Sequence, residues 1–107
     1  MNNRYNLLSD KNIRSAIPLT SIGVDELSWR EKDAIDLICF LSRYNYPILG
    51  GDVYQIKESR IVQTLDSWYI IHSPESTDCY QQTVDFIKTY ERRNSGVFLY
   101  SIIFKES

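Results

Sequence analysis

The final stretch of the chain, Val97 to Lys105, carries apolar residues on both of its alternating faces. Val97, Leu99 and Ile103 fall on one, and Phe98, Tyr100, Ile102 and Phe104 on the other. A strand that is apolar on both sides has to be covered on both, so the pattern predicts a central strand with packing above and below it. At 107 residues the chain can supply one core of that kind, burying roughly 65% of the surface that the unfolded chain exposes. A single domain over 1–107 is expected.

Two helices are predicted to cover that strand. Ser28-Trp29-Arg30-Glu31 has the spacing of a capping box, in which the serine and glutamate side chains satisfy the first free backbone amides. Apolar residues then recur at Ala34, Ile35, Ile38, Leu41 and Tyr44 or Asn45, up to a stop at Tyr46-Pro47. A second helix, capped by Ser76 or Thr77, continues through Tyr80, Val84, Ile87 and Glu91, with Phe86 and Tyr90 widening its apolar face. It ends near Asn94, ahead of Gly96. Arg92 and Arg93 sit where cations favour the carbonyl end of a helix.

Between the helices, Ile48 to Tyr54 reads as a strand bent at Gly50-Gly51. Val53 to Lys57 and Ile61 to Thr64 flank Glu58-Ser59-Arg60 as a hairpin. Leu65-Asp66-Ser67 reads as a bend, followed by a further strand at Trp68 to Ile71 and a loop at His72 to Ser76. The amino-terminal stretch, Met1 to Leu27, is mixed, with a short helix before Ile17, a break at Pro18 and a turn at Gly23. Together these elements predict an α+β fold: a small antiparallel or mixed sheet with two main helices packed on it.

The side chains that carry chemistry are sparse. His72 is the only histidine and lies in a loop, which argues against the Ser-His and Cys-His mechanisms that need an imidazole beside the nucleophile. Asp52 and Asp66 are the candidate carboxylate pair for acid and base work, though aspartates beside Gly-Gly or in a turn more often serve the backbone. Two cysteines forty residues apart and one histidine do not have zinc-ligand spacing, and Gly50-Gly51 lacks the pattern of a phosphate-binding loop. No catalytic residue, metal or cofactor is expected. The glycine pair reads as permission for a backbone conformation or a close approach that a Cβ would block.

Cys39 and Cys79 lie within amphipathic patterns and read as buried free thiols. A net charge of -2 without a basic cluster argues against direct contact with nucleic acid. No apolar run approaches the about 20 residues of a membrane span, and Met1 to Asp10 lacks the apolar centre of a secretory signal, so the cytoplasm is the expected location. What stands out is aromatic content: eight tyrosines, four phenylalanines and two tryptophans. More of these exist than an interior of this size holds, and exposed Tyr and Trp anchor protein interfaces. Of the neighbours Trp68 and Tyr69, which face opposite sides of a strand, one is expected inside and one outside. Binding another protein is therefore the leading reading. A small hydrolase-like enzyme using Asp52 and Asp66, and a structural subunit that self-associates as a homo-oligomer, are the alternatives.

The run Ile17-Pro18 to Ile22-Gly23-Val24, then Glu26-Leu27-Ser28-Trp29 and Asp33-Ala34, resembles the immunity protein 40 family of bacterial polymorphic toxin systems. So do Ile48-Leu49-Gly50-Gly51-Asp52-Val53-Tyr54 and Asp66-Ser67-Trp68-Tyr69 further on. The resemblance implies a protein that binds the C-terminal domain of a cognate toxin and blocks it by occupation. It also implies Asp52, Tyr54, Asp66 and Trp68 as partner-binding or site-shaping residues, because these positions match the motif strings.

Overall fold

The computed structural model describes residues 3–106, so the outermost residues of the expected 1–107 domain lie outside the described region. The elements are helix α1 (Asp10–Ser15), strands β1 (Ile17–Pro18) and β2 (Leu27–Ser28), helix α2 (Glu31–Arg43), strands β3 (Ile48–Lys57) and β4 (Arg60–Tyr69), helix α3 (Cys79–Arg93) and strand β5 (Val97–Phe104). Short 3-10 turns occupy Asn3–Leu7 and Thr20–Ile22. The α+β expectation holds, with two small antiparallel sheets: β1 with β2, and a three-stranded sheet in the order β4-β3-β5.

Strand β5 is covered on both faces, as its alternation requires. Phe98, Tyr100, Ile102 and Phe104 join Leu37, Ile38, Leu41 and Ile87 of the two long helices in the larger core. Leu99 packs on the opposite side with Leu19 and Tyr54, beneath Ile17, Ile22 and Val24. The central strand is nevertheless β3, and β5 lies at one end of the sheet. Burial on two faces misleads here because residues 17–24 close the second face. Part of the outer edge of β5 is satisfied by Trp29, whose backbone exchanges hydrogen bonds of 3.0 and 2.8 Å with Tyr100.

The start of α2 differs from the capping-box expectation. Ser28 lies in β2 and donates its hydroxyl to the Ile17 carbonyl at 2.8 Å, so it is not available to the helix. Arg30 takes the cap position without a side-chain bond, while Glu31 and Asp33 in the first turn favour the positive end of the helix dipole. At the other end Asn45 adopts φ 56, and the Tyr46 amide reaches back to the Leu41 carbonyl at 2.9 Å, a left-handed stop of the Schellman type. Leu37, absent from the expected apolar stripe, is fully buried. Helix α3 is capped by Asp78, not Ser76 or Thr77, through a 2.8 Å bond from the Gln81 amide.

Cys79 is half-buried and its sulfur accepts the Ile48 amide at 3.4 Å. Cys39, expected inside, is exposed on α2 because its position falls outside the stripe defined by Ala34, Leu37, Ile38 and Leu41.

Candidate functional site at the β3–β4 bulge

The two motif strings lie opposite each other. Gly50 pairs with Tyr69, Gly51 with Trp68 and Asp52 with Ser67; the register then shifts, and Tyr54 pairs with Gln63. Val53 therefore faces three residues, Thr64, Leu65 and Asp66, in an extended β-bulge. The expected bend at Leu65-Asp66-Ser67 is this bulge inside one continuous strand, not a break between two strands. Thr64 repairs the interrupted ladder: its hydroxyl donates to the Val53 carbonyl at 2.8 Å and accepts from the Asp66 amide at 3.1 Å. Leu65, between them, is driven into the left-handed region at φ 69 and is 88% exposed. Such a conformation costs a side-chain-bearing residue on the order of 1–3 kcal/mol.

Both glycines of the pair are explained by Trp68. A Cβ on Gly51 would fall well inside contact distance of the Trp68 indole and of the Ser101 carbonyl oxygen, and one on Gly50 would meet the Trp68 carbonyl oxygen. The indole stacks on Phe86 of α3 at 4.7 Å and donates to the Thr83 hydroxyl at 3.3 Å.

The four residues singled out by the motifs divide between the two faces of the sheet. Asp52 and Tyr54 share one face. Asp66 and Trp68 share the other, where the Asp66 carboxylate accepts the Tyr90 hydroxyl of α3 at 2.7 Å. Asp52, Tyr54 and Asp66 all line a groove of about 260 Å³ at the bulge, together with Gln63, Leu65 and Ser67. The Asp52 carboxylate makes no hydrogen bond or ion pair among the described residues. Trp68 is 6% exposed and belongs to the core, whereas its neighbour Tyr69 is 81% exposed, so the pair divides as alternation requires. The carboxylate pair and the histidine do not assemble: the Asp66 carboxylate is held toward α3, Asp52 projects from the opposite face, and His72 is exposed beyond the end of β4.

A family model described as Immunity protein 40 matches residues 18–104. The chain belongs to that family. No curated protein and no solved structure matches it significantly. The matched region of this immunity protein contains both motif strands, the bulge and both long helices. The earlier turn and α1 lie before it, yet they are built into the core: Tyr5 and Leu8 are buried, the Tyr5 hydroxyl accepts the Leu27 amide at 3.0 Å, and the Trp29 indole donates to the Asn12 carbonyl at 2.9 Å. Among the described residues no helix is long and apolar enough to cross a membrane.

The immunity protein also pairs acids with phenols. Burial, followed by the negative charges of Asp52 and Glu26, raises the Tyr54 pKa; burial and then the Asp66 hydrogen bond raise that of Tyr90. Tyr100 is held furthest above the ordinary tyrosine range, first by burial and then by its 2.7 Å hydrogen bond to the Glu91 carboxylate. Tyr5 and Tyr80 are raised as well, chiefly by burial. A pKa raised on folding gives stability that is complete below the unfolded value, near about 10, and lost as pH rises past it. Stability is therefore expected to fall above about pH 10, with each phenol that stays protonated in the fold contributing about 1.4 kcal/mol per pH unit. Urea titrations between about pH 8 and 11.5 check this. Tyr100→Phe should make the alkaline decline shallower; an unchanged slope would remove Tyr100 as its main source.

Residue reading alone missed Thr64, Leu65 and Gln82. The Gln82 carboxamide accepts the Ile71 amide and donates to the Ile71 carbonyl, both at 2.9 Å. Nothing in a glutamine on a helix signals a partner eleven residues earlier in a loop.

Proposed function

We propose that this immunity protein binds the C-terminal toxic domain of a cognate polymorphic toxin and neutralises it by covering the toxic site, as a single domain acting in the cytoplasm by occupation and not by catalysis. Family membership supports the immunity role. The observation that carries the contact site is Leu65: an apolar side chain almost wholly in water, on backbone that is strained to present it. Strain without burial in return marks a position kept for something outside the fold.

In this reading Asp52, Tyr54 and Asp66 shape the groove around Leu65, and Trp68 supports them from the core side. Co-expression tests it. The toxin encoded beside this gene should arrest growth when produced alone, and growth should recover when the immunity protein is produced with it. Arrest that persists while both proteins are soluble and abundant would refute the pairing.

A further inference from the structure

We infer that the free edge of β4 receives an extended segment of the toxin domain as an added strand, seated beside the trough between β4 and α3; this rests on the toxin-binding reading above. In the sheet order β4-β3-β5, β4 has a strand neighbour on one side only. Edge strands are ordinarily protected by lysine, proline or a covering element, because their unpaired backbone groups template association. From Arg60 to Tyr69 β4 has no proline and two charged residues, Arg60 at its start and Asp66 in the bulge. It instead displays Leu65 and Tyr69, which are 88 and 81% exposed, with Ile71, 66% exposed, just beyond its end.

Two further features show where such a strand would lie. The Gln82 carboxamide pairs with both backbone groups of Ile71, as one residue of a neighbouring strand would, and so marks one end of the edge. Among the described residues no side chain caps the outward backbone in the same way from Ser67 to Tyr69. Alongside this stretch run two adjoining cavities of about 370 and 330 Å³ that share Phe86 and Thr89 of α3. They offer an apolar seat for alternate side chains of an added strand, the arrangement by which strand addition joins backbone affinity to side-chain specificity.

Charge selects the occupant. Among the residues lining the trough, the charged side chains are Asp66 and Asp85 against Arg93 alone. A second copy of this chain would bring the same carboxylates toward one another, whereas an apolar strand bearing lysine or arginine would neutralise them. The partner is thus a basic, extended segment of another protein.

The test uses the purified C-terminal domain of the neighbouring toxin, carrying an inactivating substitution, and the full immunity protein. Leu65→Lys combined with Tyr69→Lys should weaken binding by about a hundredfold or more, since both residues lie where anchors are expected. Tyr44→Lys, on an exposed tyrosine at the end of α2, should leave affinity unchanged, and all variants should melt as the parent does. Hydrogen exchange at the backbone of residues 66–71 should slow in the complex. Unaltered affinity of the double variant, with tight binding by the parent, would overturn strand addition while leaving toxin binding intact. A concentration-dependent mass of the free parent that the same substitutions abolish would assign the edge to a second copy and also overturn it. No binding by the parent would overturn the toxin reading and this inference together.

Discussion

Replacing Trp68 with alanine is expected to destabilise the fold by about 4 kcal/mol, the cost of removing a large aromatic from a packed core. Its indole is 6% exposed, stacks on Phe86, meets Tyr100 edge-on at 6.4 Å and donates to Thr83. Deleting it leaves a cavity where β3, β4, β5 and α3 converge and orphans the fully buried Thr83 hydroxyl from this donor. For a chain of this size that is a large part of the total stability of about 5–15 kcal/mol. The same variant separates scaffold from contact. Measured at low temperature where the variant is still folded, its affinity for the toxin domain should change far less than its denaturant midpoint. A collapse of affinity with the midpoint unmoved would make Trp68 a contact residue after all.

Gly51→Ala is expected to be nearly as damaging, at about 3 kcal/mol, although it adds one carbon. The new Cβ would enter the space held by the Trp68 indole and would also press on the Ser101 carbonyl oxygen, which is main chain of the adjacent β5. A side chain can sometimes rotate away; a paired strand cannot move without breaking its ladder, so overpacking here falls at the severe end of its usual range. Urea unfolding of Gly51→Ala, Trp68→Ala and the double variant checks the mechanism. Because part of the clash is with the indole, the double variant should lose less than the sum of the single losses. Simple additivity would mean that the two residues do not share the space.

The elements were legible where one periodicity dominates. The spacing of Ala34, Ile38 and Leu41 and the two apolar faces of the last strand each follow from which faces are buried, and the structure agrees on both except at Val97, the first residue of β5, which is exposed. Gly50-Gly51 was legible as a close approach, although the group doing the approaching, Trp68, is seventeen residues away and appears only once the strands are paired. What could not be read depends on tertiary competition. Ser28 has the spacing of a helix cap, but the Ile17 carbonyl captures its hydroxyl. The place of β5 at the end of the sheet depends on residues 17–24 and on Trp29, whose pairing with Tyr100 has no local signature.

The candidate site divides in the same way. Asp52, Tyr54 and Asp66 reach one groove because the hairpin sets the two strings opposite each other. Trp68 does not join them, since its indole is packed under α3 on Phe86 and Thr83, whereas Asp66 reaches the groove as part of the bulge itself. Leu65 was invisible for a physical reason: nothing in leucine favours a left-handed backbone, and only the three-against-one count across Val53 forces it there.

That count has a consequence for how such a protein can evolve. Thr64 closes the ladder around the bulge with its own side chain, so the paired residues on either side keep their register whatever occupies position 65. Positions 51 and 68 can drift only in step, as two halves of one packed joint. Position 65 can drift alone, so the exposed residue of this edge can change without renegotiating the core behind it.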